Sequence, residues 1–307
     1  MKSYIGITDG SWFDLLSHRQ DLDEINFWQP GGSRRFRALS LGEPFLFKLH
    51  SPLNYIVGGG FFGYAPEPIP AYLAWETFGE ANGARTFSEM LARIEKYRRG
   101  PTDPRGTDPI GCILLQQPFY FSRDEWIPAP RDWHKNLVQG KTYDTATGEG
   151  ARVWAQVSEQ LAHRSAALLA EAPDSPLLVP TETMRRIGQG TFRVLITDTY
   201  QRRCAATGEK ALPVLEASHI RPVADGGRHE IANGLLLRSD IHRLFDRGYV
   251  TVDPKHRIRV SRRLKDEFDN GEPYYPLEGH QIWLPRRTDA RPSPESLEYH
   301  RDVVFRG

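Results

Sequence analysis

Short apolar and aromatic runs alternate with turn residues through the first 130 positions of the chain. Tyr4-Ile5-Gly6-Ile7, Phe45-Leu46-Phe47-Lys48-Leu49 and Tyr55-Ile56-Val57 are separated by Gly, Pro and Ser, the layout of strands joined by turns. One or two helices interrupt them. Phe87, Met90, Leu91 and Ile94 recur at helical spacing within 86–98, an Arg/Gly/Pro-rich loop follows over 99–109, and 110–116 returns to strand character. Between about 131 and 185 the pattern changes: Trp154, Val157, Leu161 and Leu168 form a helical stripe in an Ala-rich segment ended by Pro173 and Pro176. This predicts a connecting helix whose apolar face can pack against a partner.

From about 186 the pattern reads helix, strand, strand, helix. Phe192, Leu195, Ile196 and Tyr200 mark the first helix, closed at Thr207-Gly208. A strand over 211–220, a Gly226-Gly227 loop and an extended piece at 235–237 follow. The run 239–245 begins a second helix with Ser239 or Asp240 as its cap. A further short strand is expected at 248–252.

Charge sharpens this division. The chain has 40 Lys+Arg against 39 Asp+Glu, which excludes a uniformly basic protein. Residues 185–265, however, hold 17 Lys+Arg against 8 Asp+Glu, a local charge of +9, and the remaining 23 against 31 leave −8 elsewhere. One basic segment on an acidic scaffold suits a polyanion held at a confined site. No apolar run approaches the roughly 18 residues of a membrane span, and the N-terminus lacks a signal-peptide layout, so a soluble cytoplasmic protein is expected. Only Cys112 and Cys204 are present, too few for a disulfide framework or a four-cysteine zinc site.

Within the basic segment, Leu215-Glu216-Ala217-Ser218-His219-Ile220, then Asn233-Gly234-Leu235-Leu236-Leu237, then His242-Arg243-Leu244-Phe245-Asp246, resemble the HNH nuclease motif. The resemblance implies a β-hairpin and a helix gripping one divalent metal ion, Mg2+ or Mn2+ being expected. It makes His219 the general base, Asn233 the brace of the hairpin loop and His242 a metal ligand. An imidazole suits the first role because its ordinary pKa lies near neutrality. Asp246, four residues beyond His242 on the same helical face, is the second ligand expected. Ser218 stands where many relatives carry a ligand, and the cysteine pairs of a structural zinc are missing, so no structural zinc is expected; the Phe192 helix, Leu244 and Phe245 should replace it by packing. Arg202, Arg203, Arg221 and Arg243 are expected to hold DNA phosphates.

The first domain carries Trp12-Phe13, the loop Asn26-Phe27-Trp28-Gln29-Pro30-Gly31-Gly32, and Gly42-Glu43-Pro44-Phe45-Leu46-Phe47-Lys48 leading to Tyr55-Ile56-Val57-Gly58-Gly59-Gly60. These resemble the PUA superfamily, including EVE and YTH-like readers. That implies a β-barrel receiving a flipped base, with Trp12, Trp28 and Trp75 as cage candidates. Together the fold expected is α+β: a PUA-like barrel with flanking helices over 1–130, a helical linker over 131–185, a ββα nuclease domain over 186–270 and an extension over 271–307. Such a fusion resembles modification-dependent restriction endonucleases acting on double-stranded DNA, with a homodimer through the Trp154–Leu168 stripe. A nuclease reading ordinary base edges, as in restriction or mobile-element enzymes, and an inactive DNA-binding protein remain open alternatives.

Overall fold

The computed structural model describes residues 1–307 except 20, 33, 34, 99 and 172–187, and for 164–171 it describes the backbone. The chain divides into two compact units, Met1–Gly188 and Gln189–Gly307. The first contains β1 (Lys2–Thr8), α1 (Gly10–Ser17), β2 (Glu24–Gln29), β3 (Pro44–Leu49), β4 (Tyr55–Tyr64), β5 (Ile69–Pro70), α2 (Ala71–Phe78), α3 (Phe87–Arg98), β6 (Pro109–Tyr120), β7 (Ile127–Pro128), β8 (Gly140–Asp144) and α4 (Gly148–Glu171). Its mixed sheet has the order β2-β6-β4-β3-β1-β8, with β5 against β6 and β7 against β4. β1 and β3 run parallel, and α1 and β2 supply the crossover that a parallel pair needs.

β3 is buried at every position because it lies between β1 and β4. This forces Lys48 inside, at 2% exposure. Its ammonium donates to the Leu49 carbonyl at 3.0 Å and to Asn54 Oδ1 at 2.8 Å, and it lies 5.0 Å over the Trp133 ring. Burial still pushes its pKa down. α1 starts cleanly because Asp9 accepts from the Ser11 amide at 2.9 Å.

The stretch expected to be a connecting helix is built differently. Residues 140–144 are strand β8, paired antiparallel with β1. In α4, Val153, Val157 and Leu161 enter the same apolar core as Ile5, Leu46 and Phe61, with Trp154 packed against it. From Val153 to Leu161 the stripe is therefore taken up by the core of its own unit. Pro173, Pro176 and the Leu168 side chain lie outside the described residues.

The second unit contains α5 (Gln189–Thr199), β9 (Leu215–His219), β10 (Gly234–Arg238), α6 (Ser239–Asp246), β11 (Val250–Val252), β12 (Ile258–Val260), α7 (Arg263–Phe268) and α8 (Pro294–Tyr299). The cap of α6 is Arg238, with no side-chain cap hydrogen bond, rather than Ser239 or Asp240. Asp240 instead pairs with the Arg238 guanidinium at 2.7 Å. Residues beyond 270, expected as an extension, are built into this unit: the Ser293 amide donates to Ala232 and the Arg306 amide to Gly248. Among the described residues, no helix is long and apolar enough to cross a membrane.

Candidate active site

The site is built on the β9–β10 hairpin, α5 and α6. The hairpin pairs antiparallel in the register Gly234 to His219, Leu236 to Ala217 and Arg238 to Leu215. Gly234 is required there because a Cβ would stand 2.3 Å from Ile196 Cδ1 and 2.9 Å from Phe192 Cζ. Its absence lets α5 lie close on the hairpin. Phe192, 1% exposed, is thereby held under His219, and the rings stack at 4.0 Å and 8°.

The side chain of Asn233 makes three hydrogen bonds within the hairpin loop. Its Oδ1 accepts from the Arg221 amide at 2.9 Å, and its Nδ2 donates to the carbonyls of Arg221 at 2.9 Å and Arg228 at 3.0 Å. Its own carbonyl accepts from the Ile220 amide. Both ends of the long hairpin loop are thus tied to one side chain, beside the residue that follows His219.

α6 carries His242 and Asp246 on one face. His242 Nε2 lies 3.2 Å from Asp246 Oδ2, and Nδ1 lies 2.7 Å from Glu216 Oε2 on β9. When the His242 ring donates from Nδ1 to Glu216 and carries no second proton, its Nε2 lone pair faces a carboxylate oxygen. Two acceptors so close require a proton or a cation between or beside them. The Asp246 carboxyl is pushed up by partial burial and by Glu216, against the pull of His242.

Among the described residues, no three His, Cys, Asp or Glu side chains form a metal-holding group. The His242–Asp246 pair does fit two adjacent corners of a coordination shell: at bonds of about 2.1 Å, octahedral corners lie roughly 3.0 Å apart and tetrahedral ones roughly 3.4 Å. A hard divalent ion commonly takes one or two protein ligands and completes its shell with water and phosphate oxygen. With a metal held there, Glu216 would be the carboxylate that orients the His242 ring.

His219, Glu216, His242 and Asp246 line one cavity of about 710 Å3, joined by Arg193 of α5 and by His229 and His300. Burial, followed by the neighbouring His229 and His242, lowers the His219 pKa to about 4, which leaves its ring neutral and able to accept a proton at pH 7. Ser218 is fully buried and does not line this cavity, and its hydroxyl donates weakly to the His219 carbonyl at 3.4 Å.

Two arginines expected at phosphates are engaged inside the unit. Arg221 donates from Nε to the Asp225 carbonyl at 2.8 Å and lies 4.6 Å over the Tyr299 ring. Arg203 lies 5.7 Å over the Trp283 ring with its Nε buried. Arg243 is exposed on α6, and Arg202 follows α5 with a left-handed φ of 55°. Of the residues expected to pack in place of a structural zinc, Phe192 on α5 and Phe245 on α6 are each 1% exposed, and hydrogen bonds at Cys204 and Ala205 add to this packing. Cys204 Sγ accepts from the Arg238 amide at 3.3 Å, and the Trp283 amide donates to Ala205 at 2.8 Å.

In the first unit, Trp12 is a core residue, 4% exposed, and meets Phe27 and Phe47 edge to face. Gly83 at φ +73° makes room for its indole, since a Cβ there would stand 1.9 Å from Trp12 Cδ1. A cage role for Trp12 is corrected by this burial. Trp28 is half-buried and donates to the Asn82 carbonyl at 2.9 Å, and half-buried Trp75 packs 6.1 Å from Phe87. Among the described residues, no ring contact joins any two of the three.

The sequence missed Glu216, His229 and His300. Glu216 interrupts an apolar run three residues before His219, a signal that can be read; His229 and His300 reach the cleft only through tertiary folding.

Residues 204–253 match the family model described as HNH endonuclease. Among curated proteins, none matches the chain in sequence. Among solved structures, ASCH from Zymomonas mobilis is similar at 12% identity and TM-score 0.33, covering 50% of this chain and 94% of its own. A point mutant of that protein covers 51% and 99% at 12% identity and TM-score 0.33. A modification-dependent restriction endonuclease, TagI, is similar at 12% identity and TM-score 0.27, covering 92% of this chain and 75% of its own. The β9–β10–α6 unit is an HNH endonuclease domain, and the protein that carries it is a nuclease.

Proposed function

We propose that the protein is a restriction endonuclease that hydrolyses phosphodiester bonds of double-stranded DNA, directed to modified bases by its first unit. The observation that carries the nuclease chemistry is the common cavity lined by His219, His242 and Asp246. His219, neutral at pH 7, takes a proton from the attacking water. Asn233 keeps the hairpin loop, and with it His219, in place. His242 and Asp246 are the ligands for one Mg2+ or Mn2+ ion, and Glu216 holds the His242 ring. When bound, that ion supplies Lewis-acid stabilisation of charge on the phosphate and the leaving oxygen. Arg243 and Arg193 offer positive charge to the backbone.

The modified-base reading rests on the sequence resemblance of the first unit to PUA-superfamily readers. Trp28 and Trp75 remain its aromatic candidates for stacking a flipped base. Cutting both strands calls for two sites, which a homodimer would provide. Cleavage of phage DNA containing modified cytosines is compared with cleavage of the same sequence unmodified, in Mg2+ and Mn2+. Cutting confined to modified DNA is expected. Equal cutting of both would replace the modified-base reading with recognition of ordinary base edges, and no cutting of any DNA with any divalent ion would leave a DNA-binding protein.

A further inference from the structure

A further imidazole stands in the cleft, beside the base. His229 comes from the loop between β9 and β10, and its Nδ1 lies 2.8 Å from His219 Nε2. The two rings meet edge to face, 4.8 Å apart at 67°. Phe192 steadies both, stacked on His219 and 5.6 Å from His229. A contact fixed by a buried ring on one side and by a braced loop on the other is a built arrangement.

We propose that His229 is the positioning residue of the base: it accepts the Nε2 proton of His219 and thereby reserves His219 Nδ1 for the attacking water. This rests on His219 being the general base.

The argument is proton bookkeeping between two ring nitrogens. One proton makes the bond. If His229 donated it, neutral His219 would carry its own proton on Nδ1 and have no lone pair for water. With the proton on His219 Nε2, His229 Nδ1 is the acceptor and Nδ1 of His219 keeps its lone pair. Water then gives its proton to that Nδ1 as its oxygen bonds to phosphorus, and the electron pair of the breaking P–O bond leaves with the alkoxide. The imidazolium so formed holds a charge-assisted hydrogen bond to neutral His229, stronger than the bond in the resting state. An uncharged His229 therefore favours the proton-transfer product over the resting pair, whereas a charged one lowers the His219 pKa. A second proton on the pair is opposed by the first. The charged and titratable groups that line the cleft with the pair are Arg193 from α5, Glu216 from β9, His242 and Asp246 from α6, and His300 from the C-terminal segment.

The test is single-turnover cleavage by the full chain at saturating Mn2+ from pH 5 to 9. Phage DNA with modified cytosines and unmodified plasmid are the substrates, and the variants are H219A, H229L, H229N and H229D. Leu fills the ring's place against Phe192 but accepts nothing, so H229L falls by about 30-fold or more. Asn presents Oδ1 where Nδ1 stood, and H229N cleaves at least about tenfold faster than H229L. Asp adds a charge that favours the imidazolium, and the acid limb of H229D moves up by about one pH unit or more. Leu performing as well as Asn, or an acid limb in H229D identical to wild type, would overturn this role for His229. In either case an inactive H219A would leave the nuclease reading standing. An H219A variant that cuts like wild type would remove the base itself and the inference with it.

Discussion

His300 couples the C-terminal segment to the helix that carries the proposed metal ligands, and its replacement by Phe tests that coupling. It is 1% exposed, with its ring stacked on Phe245 at 3.7 Å and 15°. Nε2 donates to the Phe245 carbonyl at 3.1 Å, and the Thr251 hydroxyl pairs with Nδ1 at 2.8 Å. Phe keeps the stack and removes both hydrogen bonds. Leaving a buried carbonyl and a buried hydroxyl without these partners costs about 1–3 kcal/mol each, so H300F should destabilise the second unit by about 2–6 kcal/mol at pH 7.5. Burial, opposed by the bond to Phe245, lowers the His300 pKa to about 4. The folded value lies below the unfolded one of about 6.5, so the unfolded chain gains the proton first. The stability due to neutral His300 is present above pH 6.5 and is lost as the pH falls toward 4. By pH 5 the wild type should lose about 2 kcal/mol from this group alone, and H300F should not. Hydrogen exchange of peptides from β10 and α6, corrected for intrinsic rates, measures both quantities locally. Unchanged protection in H300F at pH 7.5, or an equal loss in variant and wild type at pH 5, would refute the reasoning.

Other expectations concern the cleft. N233A removes three side-chain bonds from the hairpin loop, and single-turnover cleavage should fall on the order of 100-fold through misplacement of His219. S218A should cleave within about twofold of wild type, because Ser218 is fully buried and does not line the cleft; a large loss would mean Ser218 contacts the reacting groups. D246N preserves shape and removes the ligand charge, so Mn2+ affinity measured by electron paramagnetic resonance should weaken by about tenfold or more.

The hairpin and α6 were legible because the pattern that folds them is local. Apolar runs at 215–220 and 235–237 flank a glycine loop, and His242 and Asp246 share a face by helical geometry alone. α3 and α5 were legible for the same reason. β8 was not, because Gly140–Asp144 has little apolar character and becomes a strand only by pairing with the edge of β1. The Trp154 stripe signalled a helix correctly but not what it covers, since an apolar face is the same whether core or partner receives it. Trp12 shows the same ambiguity: its sequence context allowed a cage, and only its contacts with Phe27, Phe47 and Gly83 decide for the core. Arg221 and Arg203 were read by charge, yet Tyr299 and Trp283, brought in from the C-terminal segment, claim their side chains. His229 and His300 needed tertiary contacts to acquire a role at all.

The central claim is that His219 supplies the proton acceptor while His242 and Asp246 supply the metal site, in one cleft but by separate groups. Mn2+ binding and single-turnover cleavage measured together on H219A and H242A test it directly. The account predicts that H219A binds Mn2+ as wild type does and loses cleavage by about 100-fold or more, whereas H242A loses both. Wild-type cleavage by H219A, or Mn2+ affinity untouched in H242A, would contradict it.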